Sequence, residues 1–432
     1  MKTHMKAALA GLLLATALVA QKADTGRVLA ALSDQTLARY ASSLKTDERI
    51  ALYEAMVKTK PGEPHYRNLL ASAFLQKRRE TNDPAYLERA ARLVEQVLSA
   101  GGAEYEARRL RNEVELERHN FRKVAEDSRR LTGIAPDDAW NWGTLGDALM
   151  EMGDYDQAAE AYQKMVSLKP DLASYNRAAW FRFVSGDRAG AIEIMKRAAS
   201  AGGGTPENLA WCLVELGNYY FKGGQLSGAE DAYAAALKAF GNYPPALAGM
   251  GRLRAARGDG QAAIAFYRKA LAATPLPEYA GALYDLHFVY GNDAEARKLS
   301  EFIDVVYHMN KSVQPGDRTL ALIYADQDRH LDRALVLAEK ELESRRDVYT
   351  YDALAWALYK NKRYPDAEQA MSKAMKMGTQ EPLFFYHAGM IAYACGKKQD
   401  AAKLLKRALE LNPKFDPRQA KVAESVLADV RQ

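Results

Sequence analysis

An alanine returns along this chain at Ala158, Ala191, Ala229, Ala263, Ala296, Ala334, Ala367 and Ala401, at intervals of 33, 38, 34, 33, 38, 33 and 34 residues. A second series runs twelve positions ahead of it: Gly146, Ala179, Gly217, Gly251, Tyr284, Leu322, Ala355 and Gly389. Six of these eight are Gly or Ala, so the coincidence of phase is not chance. Self-similarity at this period means one supersecondary unit per repeat, each burying its apolar face against the next. Within a repeat the apolar residues fall at helical spacing, as in Ala158, Ala161, Tyr162, Met165 and Val166. Gly153-Asp154, Gly186-Asp187, Gly258-Asp259 and Gly291-Asn292 read as turns between two helices. There Gly accepts left-handed φ and Asp or Asn caps the helix that follows. Pro170, Pro275 and Pro413 stop the second helix. No segment alternates with a period of two, so no sheet is expected.

The clearest unit, from Ala139 to Pro170, resembles the tetratricopeptide repeat (TPR). With Ala139 as position 1, Trp142 stands at 4, Leu145 at 7, Gly146 at 8, Ala158 at 20, Tyr162 at 24 and Pro170 at 32; Met165 replaces the usual Ala. The resemblance covers Ala139 to Pro413 and is weakest around Ala296 and Ala334, where Tyr284 and Leu322 are bulky at position 8. It implies an all-α fold, a right-handed α-solenoid of antiparallel helix pairs A and B. Positions 8 and 20 would lie at the close crossing, with 4, 7 and 24 filling the wedge. Both 38-residue intervals call for longer connections, Ala201–Asn208 and His308–Asp317. Upstream the pattern decays into helix pairs at His65–Leu98 and Glu104–Pro136, with capping helices over Val28–Lys60. Asp416 and Pro417 start a closing helix whose Val422, Val426 and Val430 share one face. The expected organisation is a leader over 1–20, N-terminal caps over 21–60 and divergent pairs over 61–138. Repeats follow over 139–309 and 310–415, then a cap over 416–432.

The leader is read from Lys2 and Lys6 followed by the uncharged run Ala7–Ala20. A basic head, a short apolar run and small residues describe a secretory signal, and about 20 apolar residues are needed to span a bilayer. The expected location is therefore exported, periplasmic or secreted. Cys212 and Cys395 are too few for a disulfide framework and are expected as buried thiols. Lys plus Arg is 60 and Asp plus Glu is 55, a balance without a nucleic-acid footprint.

Catalytic constellations are missing from the sequence. The seven histidines form no close metal pair. Asp326–Asp332 has acids at spacing two, but His330 and Leu331 stand where a calcium loop needs an oxygen ligand and a Gly. Gly258–Ala263 fits a dinucleotide fingerprint only loosely and follows a helix rather than a strand. Neither enzyme activity, nor a metal, nor a cofactor is expected.

Resemblance to the family implies that positions 2, 5, 9, 12 and 13 of helix A line a concave groove. They are Trp140, Asn176 with neighbouring Arg177, Trp180, Phe183, Trp211, Asn218, Phe221, Arg252, Tyr349, Trp356, Tyr359, Tyr386 and Tyr393, together with Asp147, Lys222, Asp285, Phe288, Asp352, Lys360 and Met390. Four of the five tryptophans fall in this set. Aromatics with scattered polar partners suit a binding surface, because they bury much area at small rotamer cost. The basic clamp of TPR proteins that capture acidic tails needs Lys at position 5, which is Gly143, Asn176, Val214, Ala248, Gly281, Thr319, Asp352 and Tyr386 here. The leading expectation is a non-catalytic exported scaffold for a protein or peptide partner, in envelope assembly or secretion. A glycan-binding solenoid is the alternative, and an enzyme or regulatory subunit the third.

Overall fold

The structure is a computed structural model, describing residues 34–101, 104–202, 205–310 and 316–430. The expected leader, the first residues of the N-terminal cap and parts of both long connections lie outside them. The described residues form 23 α-helices and one short 3₁₀ turn, with no strand. They divide into two compact units at Arg118.

The first unit contains α1 (Asp34–Ser42), α2 (Thr46–Thr59), α3 (Pro64–Thr81), α4 (Pro84–Ala100) and α5 (Glu104–Glu117). Its core is formed by Met56, Ala71, Phe74, Ala90, Val94, Ala107 and Val114. Asn82 ends α3 in the left-handed region, Asp83 caps α4 through the Ala85 N–H, and Pro84 opens it.

The second unit opens with α6 (Phe121–Ile134). Eight A/B pairs follow: α7 (Ala139–Glu151) and α8 (Tyr155–Leu168); α9 (Leu172–Val184) and α10 (Arg188–Ala201); α11 (Pro206–Lys222) and α12 (Leu226–Ala239); α13 (Pro244–Ala256) and α14 (Gly260–Ala273). The remaining pairs are α15 (Pro277–Val289) and α16 (Asp293–Asn310), α17 (Arg318–Asp326) and α18 (Leu331–Ser344), α19 (Val348–Lys360) and α20 (Tyr364–Ala374), and α21 (Pro382–Ala394) and α22 (Lys398–Leu411). The last helix is α23 (Gln419–Val430). This is the architecture of a TPR α-solenoid. Several starts carry a local signal: Asp187 caps α10 through the Gly190 N–H, Asp259 caps α14 through Ala262, and Asp171 forms a capping box with Ser174.

The small residue at position 8 has a specific neighbour. A Cβ on Gly146 would stand 2.3 Å from the Tyr162 ring, and one on Gly217 would stand 2.4 Å from Tyr233. On Gly251 it would stand 2.7 Å from Tyr267, and on Gly389 2.7 Å from Leu405. All four neighbours are the position-24 residue of the same unit. The large side chain of helix B therefore lies flat on the glycine of helix A. All eight position-20 alanines are buried.

The longer connections are taken up by helix: α11 begins before its repeat phase, and α16 runs for 18 residues. In α23 the buried face is Ala420, Ala423 and Leu427, with Val426 packed beside it. Val422, placed by sequence on the apolar face, is 41% exposed. The helix is rotated from the expected stripe because the residues before it are pulled toward the inner face, as described below.

The second unit also closes on itself. The Arg346 N–H donates to the Glu151 carbonyl (2.7 Å), Thr379 Oγ1 to the Val184 carbonyl (2.5 Å) and Asn412 Nδ2 to the Phe221 carbonyl (2.8 Å). The A-to-B turns of repeats one, two and three thus meet the connections that follow repeats six, seven and eight. Gly153 and Gly186 serve both sides of this contact. Each has positive φ, and a Cβ there would stand 2.5 Å from the Arg346 carbonyl or 2.6 Å from the Gly378 carbonyl. Behind the backbone contacts, Arg345 pairs with Glu151 and Glu341, and Lys222 pairs with Glu381 at 2.6 Å.

Candidate partner-binding face

Closure of the repeats decides where the groove residues of the sequence stand. Phe183, Phe221, Trp356 and Tyr386 are buried, so for these four the expectation of exposed lining is corrected. Trp180 stacks between Phe183 (6.2 Å) and Tyr349 (5.6 Å), and Phe183 stacks in turn on Tyr219 (4.7 Å). Repeat two therefore meets repeat seven through rings. Trp356 is 2% exposed, stacks on Tyr359 and His387, and donates from Nε1 to Asp326 at 2.7 Å. Trp180 and Tyr349 come from two stretches of chain that the superhelix brings face to face, whereas Trp356 is buried among repeats six to eight.

Of the remaining residues, Met390 is buried as well and Asp352 is buried against His387, which corrects their expected place on the groove; the others are half-exposed, exposed or paired. Arg177 chelates Asp147 at 2.7–3.0 Å and lies over the half-exposed Trp140, while Tyr162 Oη donates to the same carboxylate. Asn218 accepts from both Tyr233 and Arg252, and Arg252 covers the Phe221 ring. Asn176 lies 4.0 Å from Cys212 Sγ. Tyr359 is half-buried, and Tyr393 donates to Asp429 at 2.6 Å. Trp211 and Phe288 are the open rings of the set, at 38% and 49% exposure. Both cysteines are free; Cys212 is buried, and burial pushes its thiol up to about 12, whereas Cys395 is only half-buried, against expectation.

The inner face stays open over repeats four to six. There a cavity of about 540 Å³ lies among α13, α15 and α17, lined by Arg252, Tyr267, Leu286, Val289, Leu322 and Ile323. Its remaining wall is the segment Lys414–Glu424, which leaves the last repeat and crosses the inner face. Phe415 is buried against Tyr386, ring centroids 5.7 Å apart. Asp416 accepts from the Arg418 and Gln419 N–H groups. The Arg418 guanidinium reaches Asp285 at 2.6 Å and lies 4.5 Å above the Phe288 ring, and Gln419 Nε2 donates to Asp326 at 2.6 Å. A smaller space of about 270 Å³ on the other side of this segment is lined by Trp356, Tyr359, Lys360 and Tyr386.

Three carboxyls thus gather around one guanidinium, which bonds Asp285. Burial and the neighbouring Asp416 and Asp326 push Asp285 up to about 8 despite Arg418. Burial lifts Asp326 to about 6 and also raises Asp416. Repeat phase had placed Asp285 on this face. Asp326 stands at position 12 of the sixth unit, a groove position missed because that unit is one of the two that depart furthest from the repeat pattern, whereas Asp416, Arg418 and Gln419 lie outside the repeats and carry no repeat phase. Among the described residues there is no cluster of His, Cys, Asp and Glu suited to a metal. No described helix is long and apolar enough to cross a membrane.

A tetratricopeptide-repeat family model matches residues 139–172, and a second matches 214–276 and 353–414. Of the solved structures similar to this chain, PilW, titled a widely conserved type IV pilus biogenesis factor, is 16% identical. It covers 52% of this chain and 99% of its own, with a TM-score of 0.41. The APC/C hetero-tetramer Cut9-Hcn1 is 14% identical over 94% of this chain and 98% of its own, with a TM-score of 0.38. A tetratricopeptide repeat protein of Parabacteroides merdae is 18% identical over 60% and 99%, with a TM-score of 0.33. No curated protein matches the sequence.

Proposed function

We propose that this chain of tetratricopeptide repeats is a non-catalytic, exported scaffold that holds a partner's peptide segment against the inner face of repeats four to six, in envelope assembly or secretion. One observation carries the reading. The inner face already holds a stretch of polypeptide, Lys414–Gln419, through a ring buried against Tyr386 of repeat eight and, on repeats five and six, a guanidinium on a carboxylate and an amide on a second carboxylate. A surface that seats its own chain in this way has the chemistry to seat another, with aromatic and Arg anchors at the centre and polar groups around them. The cavity beside the segment lies within the range of sites that enclose part of a ligand. The basic head and apolar run of residues 1–20 support the exported location.

The test is selection of displayed random peptides against the full chain, followed by hydrogen exchange with an enriched peptide. Protection gathering on α13, α15 and α17 supports the reading. Protection confined to the B helices contradicts it.

A further inference from the structure

We propose that the inner face of repeats five, six and eight selects a partner segment carrying an arginine three residues after an aromatic side chain, and that Phe415 and Arg418 occupy the place of that pair in the free chain. The inference rests on the peptide-binding reading above and names the chemistry of the segment.

Charge on this face points to a cation. Asp326 receives only the neutral donors of Trp356 and Gln419, and Asp416 accepts backbone N–H groups. Arg418 is the one guanidinium given to these acids by hydrogen bond, and it serves Asp285. Of the cations on the repeats' side of the cavity wall, Arg252 is committed to Asn218 and Arg257 to Glu230 at 2.7 Å; Lys414 and Lys421 belong to the crossing segment itself. A planar guanidinium suits this place better than an ammonium, since it pairs with a carboxylate in plane and lies flat on a ring, here Phe288.

A second observation points independently to a bound chain. Gln327 is 7% exposed and lines the larger cavity, yet its Nε2 donates to no group in the protein, while its Oε1 accepts from Arg329. A buried amide left unpaired is costly, and the backbone carbonyl of a bound polypeptide supplies the acceptor that this donor lacks.

The experiment titrates a labelled synthetic peptide of residues 412–424 into the full chain carrying Phe415→Ala and Arg418→Ala, with circular dichroism as the folding control. The Arg418→Ala chain, which keeps the buried ring, serves as a second receptor. The expected result is saturable binding that weakens roughly tenfold or more when the peptide's arginine becomes alanine. The same loss is expected when Asp285→Asn and Asp326→Asn are added to the receptor. Equal affinity for the peptide with and without its arginine would overturn the cation selectivity and leave peptide binding intact. Absence of binding by either peptide to both folded receptors would overturn the peptide-binding reading as well.

Discussion

Arg418 and Asp285 stand 133 residues apart in sequence and 2.6 Å apart in space. Their pairing draws the chain after the last repeat across the inner face and fixes where α23 begins. Only repeat curvature brings the two together; nothing in either local sequence announces the other.

The position-8 glycines should respond to substitution according to what lies above them. Gly217→Ala drives a methyl into the buried Tyr233 ring, whose Oη is held by Asn218, and is expected to cost ~1–3 kcal/mol. Gly133→Ala, in α6 with nothing within 4 Å of its Cβ, is expected to gain about 0.5–1 kcal/mol from helix propensity. Urea unfolding of both variants measures the contrast.

Trp356→Ala should act on stability before binding. The ring is buried between Tyr359 and His387 and its Nε1 supplies one of the hydrogen bonds to Asp326, so a loss of ~3–5 kcal/mol is expected. Trp211→Ala, at an exposed ring, should change stability by less than about 0.5 kcal/mol. Equal effects in denaturant titration would contradict the burial described.

Arg345 balances Glu151 and the buried Glu341. Arg345→Ala strips both of their partner and should destabilise the second unit by ~3–5 kcal/mol. Replacing Arg197 and Glu193, an exposed pair one turn apart, should cost at most about 1 kcal/mol. Thermal melts of the two variants compare the closure of the repeats with an ordinary surface contact.

The crowded acids set a pH dependence with a definite sign. Asp285, raised to about 8, and Asp326, raised to about 6, hold their protons more tightly folded than unfolded. Their contribution to stability is complete below the unfolded value near 4 and is lost as pH rises through about 6 and then about 8. Asp285 is faced by Asp416 and Arg418 from the crossing segment and by Asp326 from α17. The thermal midpoint is expected to fall between pH 6 and 8, and Asp285→Asn should flatten that part of the profile. Peptide binding that brings a guanidinium should tighten over the same interval, because it favours the ionised acids.

Repeat number, the helix pairs from Ala139 onward and the small residues at the crossings were legible because each is a local pattern repeated in phase. Gly146 and Tyr162 belong to one unit, and the same spacing recurs in Gly217 with Tyr233. The fate of the aromatics was not legible. Trp180 meets Tyr349 only after the repeats have turned through enough rotation for repeat seven to reach repeat two. That rotation is the sum of small angles that no single unit encodes visibly. For the same reason the aromatic set was expected only as the lining of one groove, whereas rings fill it at repeats two, seven and eight and the segment after Pro413 crosses it.

The most direct test of the account is the distance between nitroxide labels at Lys421→Cys and Glu278→Cys, two positions on opposite walls of the larger cavity. They would be introduced into a chain with Cys395→Ser; Cys212 is buried with its thiol pushed up to about 12 and stays unlabelled. Double electron–electron resonance should give one narrow distance population, broadened when Arg418→Ala is added. A broad distribution in the unaltered chain, unchanged by that substitution, would contradict a segment held on the inner face.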